Sequence, residues 1–297
     1  MGDQNEKVLL VAFDGMDKDL IQKFELSHLY SNSKEFGSIN NTAGVNQIKT
    51  VELFSVMITG EEIRNLNRKG MNKINYPKRK RFIDFIFPDR LKQNVRGAFR
   101  AYKTLKTGLN IKKEPYLKRD FEKNTIFDKI HNSRSMFVPG NNPSKLWATG
   151  GHRKVMESES FNKEDAIDIW RTREHRHRKE SLFSELENEI VSPRDFLMCH
   201  FHLPDFFQHL KGDRELGNYD EEFLRKLYRE LDDLAGEIEE KALENGYDTV
   251  IFMSDHGLPT TSAHNENAFY SCNKEIFPNK TPKIADFHDK ILELIEE

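Results

Sequence analysis

Three short apolar runs punctuate an otherwise polar chain. They are Val8–Phe13, Phe196–Phe201 and Thr249–Met253. None alternates between apolar and polar positions, and each is rich in Val, Ile, Leu or Phe, which suits strands covered on both faces. Each is followed by a polar turn: Asp14-Gly15 after the first, His202-Leu203-Pro204-Asp205 after the second, Ser254-Asp255-His256-Gly257 after the third. Segments with helical spacing separate them. The clearest runs from Asp220 to Asn245, with Phe223, Leu224, Leu227, Leu231, Leu234 and Ile238 on one face and Gly246 as its stop. Others are predicted from Lys18 to Phe24, after Thr50 (where Phe54, Met57 and Ile58 share a face), and across the charged stretch from Asn162 to Glu187. Strands alternating with helices predict an α/β fold, a doubly wound and mostly parallel sheet flanked by helices. Ligands bind such sheets beyond the carboxyl ends of the strands. Every one of the three runs delivers an Asp there.

The stretch from about residue 61 to 121 breaks this rhythm. Between Arg64 and Lys123 there are nineteen Lys/Arg against five Asp/Glu, interleaved with aromatics such as Tyr76, Phe82 and Phe99. It is predicted to be a small basic helical cap inserted into a single domain spanning residues 1–297. The formal net charge is only -3, so the remainder of the chain is acidic. Positive charge over a site for anions would raise encounter rates, and interleaved aromatics also suit base stacking. At 37% hydrophobic residues, general disorder is excluded. Two cysteines, Cys199 and Cys272, are no disulfide framework. No run approaches the ~18 apolar residues of a membrane span. The expectation is a cytoplasmic protein.

The ionisable residues at the strand ends point to metals. Asp14 follows the first strand; Asp205 and His209 lie one helical turn apart; Asp255 and His256 are adjacent on a turn, with His264 eight residues further on. Mixed Asp/His sets suit zinc or manganese better than calcium. Six ligands are enough for two ions with open positions left for a substrate.

Four stretches, in order, resemble the alkaline phosphatase superfamily, particularly its nucleotide pyrophosphatase/phosphodiesterase-like branch. They are Val8 to Gly15; Thr50 to Gly60, with a threonine nine residues before a Thr-Gly pair; Pro204 to His209, an Asp-x-x-x-His motif; and Ser254 to Gly257 followed by His264. Phe137 to Pro143 is similar to a strand and loop near that family's active-site mouth. The resemblance implies two divalent transition-metal ions, zinc with manganese as the alternative. It assigns Asp14, Asp255 and His256 to one ion, with the Thr50 oxygen beside it, and Asp205, His209 and His264 to the other. Thr50 would be the nucleophile, activated by the neighbouring cation, and the reaction would pass through a phosphothreonine. Val51 and His152 are candidate substrate contacts. His200 and His202, flanking the second strand's end, are read as structural. The expected activity is two-metal hydrolysis of a phosphodiester or phosphomonoester, the anion being a nucleotide, nucleic acid or phosphorylated lipid or glycan.

Two departures bear on that expectation. Many phosphodiesterases of this type place an Asn three residues after the nucleophile to hold a phosphate oxygen, and Leu53 stands there. The Pro and His-Gly pair usual after the Thr-Gly are replaced by Glu61-Glu62-Ile63-Arg64. The sulfatase signature is absent at Thr50. Alternatives within the superfamily are a sulfate-ester hydrolase or a phosphotransferase. Outside it, the alternative is a nucleic-acid-binding protein using the basic insertion.

Overall fold

The computed structural model describes residues 6–69, 124–143, 170–188, 193–211, 220–258 and 264–296. Most of the basic insertion, residues 162–169 of the charged stretch, and His152 lie outside the described residues.

Six strands form one sheet: β1 (Val8–Phe13), β2 (Glu35–Ser38), β3 (Ser133–Met136), β4 (Phe196–Phe201), β5 (Thr249–Met253) and β6 (Phe269–Cys272), in the spatial order β2-β6-β5-β1-β4-β3. The three apolar runs of the sequence are its centre. β1 pairs in parallel with β4 on one side and β5 on the other, so Val8 lies beside both Phe196 and Thr249. β3 joins β4 in parallel, while β6 runs antiparallel to its neighbours β5 and β2. The sheet is therefore mixed, with one reversed strand. That reversal has a consequence for the site. The chain climbs β5 and descends β6, so the described parts of their connection, residues 254–258 and 264–268, adjoin the carboxyl end of β5, the ligand-binding edge.

Period-two alternation splits each central strand between two cores. Leu9, Val11 and Phe13 join Leu197, Cys199 and Phe201 on one face, while Val8, Leu10 and Ala12 join Phe196 and Met198 on the other. The first face is covered by α1 (Lys18–Lys23), α5 (Arg176–Leu186, entered through a π-helical turn, Trp170–His175), α6 (Asp205–Lys211) and α7 (Glu221–Glu244). The second is covered by α2 (Thr50–Thr59), α3 (Ile63–Lys69), α4 (Ile126–Lys129) and α8 (Asp286–Glu296). Helix α7 starts where Asp220 accepts the amides of Glu222 and Phe223 and ends at Asn245, beside Gly246 in the left-handed region. Among the described residues, no helix is long and apolar enough to cross a membrane.

The spacing of Thr50 to Thr59-Gly60 is the length of a helix. Thr50 opens α2, Gly60 closes it at φ 69°, and the Thr59 hydroxyl donates to the Ser55 carbonyl in the last turn. Leu53, Phe54, Val56, Met57 and Ile58 are all buried, which pins this helix to the sheet and fixes where its first residue must sit.

Candidate metal centre

Asp14, Asp205 and Asp255 converge at the carboxyl end of the sheet, with Asp14 and Asp255 fully buried and Asp205 nearly so. Backbone bonds lock the strand ends together. The Asp205 amide donates to the Asp14 carbonyl (2.9 Å), and the Asn41 side chain donates to the Asp255 carbonyl (2.8 Å). Gly15 makes the approach possible. It sits at φ 74°, and a Cβ there would lie 2.8 Å from Asp205 Cβ and 3.1 Å from His256 Cε1.

Around these carboxylates stand His256, His264, His209 and Thr50. The Thr50 hydroxyl donates to Asp14 Oδ1 (3.3 Å) and lies 3.4 Å from His256 Nε2, which is itself 3.2 Å from Asp14 Oδ1. A tetrahedron of ligands about 2.0–2.1 Å from zinc has edges of about 3.3–3.4 Å. Those three separations are of that length, so the atoms would fit one ion. On the other side, Asp205 Oδ1 is 3.1 Å from His209 Nε2 and 4.0 Å from His264 Nε2. Asp14, Asp255 and His256 offer ligand atoms within 4.8 Å of one another, as do Asp205, His256 and His264.

The histidine tautomers agree with ligation. His256 Nδ1 lies 2.8 Å from the Gly257 carbonyl and His264 Nδ1 3.2 Å from the Ile48 carbonyl. A carbonyl only accepts, so both rings carry a proton on Nδ1 when neutral and turn the Nε2 lone pair into the cluster, the arrangement that orients metal-binding imidazoles. The carboxylates tell the same story. Asp14 Oδ2, Asp205 Oδ1 and Asp255 Oδ2 are buried without a hydrogen-bond partner among the described residues. Three buried acids that close to one another need cationic compensation. The residues present therefore fit divalent ions.

The electrostatics show what the protein does in their place. Burial pushes the Asp255 carboxyl up to about 7, helped by Asp14 and Asp205 and opposed by His256. Burial works against charging His256, but Asp255, Asp14 and Asp205 outweigh it and carry the imidazole up to about 10. Burial and the Asp205 charge press upward on Asp14, yet His202, His200 and His256 together hold it well below the usual carboxylate range. Burial, with the charge of His256, pushes His264 down to about 4. Asp255 and His256 thus hold protons more tightly than such groups ordinarily do, while Asp14 and His264 give them up more readily.

Of the residues singled out in the sequence, the structure brings Asp14, Thr50, Asp205, His209, Asp255, His256 and His264 into one place. Val51 is half-buried in the first turn of α2, and His152 lies outside the described residues. Leu53 faces away, fully buried in the core beneath α2. His200 and His202, read from the sequence as structural, reach the cluster: their Nε2 atoms lie 3.5 and 3.3 Å from Asp14 Oδ2, and that of His202 is also 3.4 Å from Asp205 Oδ2. The signal was present in the sequence. Two histidines at i and i+2 share one face of a strand, and β4 is the direct neighbour of the strand that carries Asp14. Asp17 was also missed. Its carboxylate caps α1 and accepts from Leu258 N, Asn265 Nδ2 and Asn267 Nδ2, tethering the loop that presents His264.

An α/β sheet with a buried Asp/His cluster and a helix-opening threonine beyond its strand ends is the arrangement that the alkaline phosphatase resemblance of the sequence implies. A profile of the type I phosphodiesterase / nucleotide pyrophosphatase family matches residues 70–290. The chain belongs to that family. The matched stretch holds Asp205, His209, Asp255, His256 and His264, and begins after Asp14 and Thr50. A search of curated proteins by sequence found no significant match. Among solved structures, murine ectonucleotide pyrophosphatase / phosphodiesterase 5 is similar with a TM-score of 0.48 at 15% identity, covering 85% of this chain and 57% of that one. Alkaline phosphatase from the Antarctic bacterium TAB5 is similar at 0.48 and 11% identity over 99% and 98% of the two chains. The PH0037 protein of Pyrococcus horikoshii is similar at 0.46 and 12% over 98% of each. The chain spans a little over half the length of the murine protein.

Proposed function

We propose that this protein hydrolyses phosphoesters with Thr50 as the nucleophile, assisted by two divalent ions. The observation that carries the proposal is the position of the Thr50 hydroxyl, buried at the head of α2 and within 3.4 Å of both Asp14 Oδ1 and His256 Nε2. Asp14, Asp255 and His256 would hold one ion and Asp205, His209 and His264 the other, zinc being favoured by the mixed Asp/His set and manganese being the alternative. Bound there, divalent ions supply the positive charge that makes a threonine hydroxyl acidic enough to react and that steadies the leaving oxygen.

The chain's own residues supply the rest. Asp14 Oδ1 receives the hydroxyl proton's hydrogen bond and aims the Thr50 oxygen. That oxygen loses its proton as it attacks phosphorus, the P–O bond to the leaving group breaks, the departing oxygen takes up a proton to become the free alcohol, and a phosphothreonine forms. Water then attacks the phosphothreonine, breaks its P–Oγ bond and restores the hydroxyl. The first amides of α2, that of Val51 among them, have no partner inside the helix and favour a phosphoryl oxygen. The basic composition of the stretch between Arg64 and Lys123 suits a protein that takes an anionic substrate. The family favours a phosphodiester or pyrophosphate of nucleotide type. A phosphomonoester is the second reading, favoured by Leu53, whose buried apolar side chain offers nothing to a phosphate oxygen. The two cysteines, buried and unbridged, suit a cytoplasmic setting.

The test reconstitutes metal-stripped protein with zinc or manganese and compares turnover of p-nitrophenyl phosphate and bis-p-nitrophenyl phosphate. Thr50→Ala is expected to lower kcat by a factor on the order of 10⁴ or more while still binding ions, and Thr50→Ser to retain part of the activity. Undiminished turnover by Thr50→Ala would rule out the threonine route.

A further inference from the structure

Arg178 is a fully buried arginine on α5, and the reaction just described gives it no task. Its guanidinium donates through Nε and Nη2 to Glu174 Oε1 (3.0 and 2.5 Å), lies over the Phe137 ring at 5.0 Å, and through Nη1 meets the His200 carbonyl and His200 Nδ1, the latter at 3.3 Å. An arginine has no acceptor to offer. Nδ1 of His200 must therefore accept, and the single proton of the neutral ring must sit on Nε2. That nitrogen faces Asp14 Oδ2 at 3.5 Å, a polar contact rather than a formed hydrogen bond, for neither atom has a hydrogen-bond partner among the described residues. His200 is thus the reverse of His256 and His264. Backbone carbonyls hold those two with a lone pair turned into the cluster, whereas Arg178 holds His200 with a proton turned into it.

We propose that Glu174, Arg178 and His200 form a positioning relay for Asp14: by keeping an N–H dipole, rather than a lone pair, turned toward Oδ2, His200 biases the carboxylate electrostatically so that Oδ1, the oxygen beside Thr50 and His256, is the one offered to an ion. Burying an ion pair is a weak route to stability, because well-packed apolar residues serve as well. The fixed tautomer of a residue touching Asp14 is what this pair secures and apolar residues would not. The edge of the Phe54 ring against His200, centroids 5.0 Å apart, holds the imidazole plane from α2, the helix that also carries Thr50. The inference rests on the two-ion reading and names the residues that tune one half of it.

The experiment titrates the full-length, metal-stripped protein with cobalt(II), following heat and the visible absorption bands that report coordination geometry. Wild type is expected to take up two ions. His200→Phe is expected to weaken one ion about 10- to 100-fold, with changed bands, and to leave the other unaltered; Asp255→Asn identifies which ion belongs to Asp14. His200→Gln, whose amide offers a donor near the same place, restores affinity and bands. Glu174→Gln/Arg178→Met removes the buried pair together, keeps His200 and weakens the same ion, so the idea remains testable if His200→Phe does not fold. Unchanged cobalt affinities and bands in His200→Phe, or in Glu174→Gln/Arg178→Met, would overturn the relay, even with a lowered melting temperature, since that is all a packing role predicts. Wild type that binds no cobalt overturns the two-ion reading itself and the relay with it, an outcome distinct from two ions bound indifferently to His200.

Discussion

The rings of His256 and His264 lie face to face, their centroids 3.7 Å apart and their planes 2° from parallel. Eight residues separate them in the chain, and each is oriented by its own backbone carbonyl, Gly257 for one and Ile48 for the other. The stack joins the two halves of the candidate centre, because His256 faces Asp14 and Thr50 while His264 faces Asp205. A shift in either ring is felt by both halves.

Binding of ions should release protons. At pH 7, with His256 raised to about 10 and Asp255 to about 7, the cluster holds its imidazole proton and part of a carboxyl proton. A ligand must shed its proton before it binds, so affinity rises with pH, by roughly tenfold per unit for each proton displaced. Calorimetric titration with zinc in buffers of different ionisation enthalpy is expected to show between one and two protons released near pH 7. Release of none would contradict the proton-laden cluster.

Gly15→Ala should damage both halves at once. Alanine in the left-handed region costs about 1–2 kcal/mol, and its methyl would press on Asp205 from one half and His256 from the other. Denaturant unfolding is expected to show at least that loss, and zinc titration a weakening of both ions. Wild-type affinity for either ion would show that the close approach at Gly15 is not needed.

Restoring the residue common in the wider family should fail. Leu53→Asn places an amide in the core under α2, where Leu53 belongs to a cluster of buried apolar side chains. A loss of about 3–5 kcal/mol is expected from the removed apolar contacts and the buried amide, with no gain in diester over monoester turnover. A selective rise in diester activity would mean that α2 can turn its third position toward the substrate.

His175 should make stability pH-dependent. Burial, then the charges of Arg178, Lys179 and Arg171, push its imidazole down to about 4. A folded value below the unfolded ~6.5 means that the unfolded chain binds the proton first. The contribution to stability is complete above about 6.5 and is lost as pH falls toward 4. Replacing it in His175→Phe should flatten the fall in stability between those limits by up to one proton's worth, measured by denaturant titration at each pH. Parallel curves for the two proteins would refute the assignment.

The sequence by itself determined the parts that local patterning controls. The three apolar runs are the three central strands, the Asp220–Asn245 periodicity is α7 with its caps, and the Thr50–Gly60 spacing is one helix with its start and stop. Burial on both faces of a strand, or on one stripe of a helix, writes itself into adjacent residues. Glu35–Ser38 and Phe269–Cys272 left no such mark: both are only four residues long, β2 lies at the sheet's edge, and the antiparallel course of β6 depends on pairing with β2, far away in sequence. The same distinction runs through the centre. Carboxylates and imidazoles at strand ends could be listed from the chain, because strand ends are visible in it. Which ring nitrogen faces inward, that His200 and His202 meet Asp14, and that Arg178 reaches across from α5 to set a tautomer were decided only by tertiary structure. Hydrogen-bond direction is a property of the neighbour, and those neighbours are brought in by the folding of the sheet.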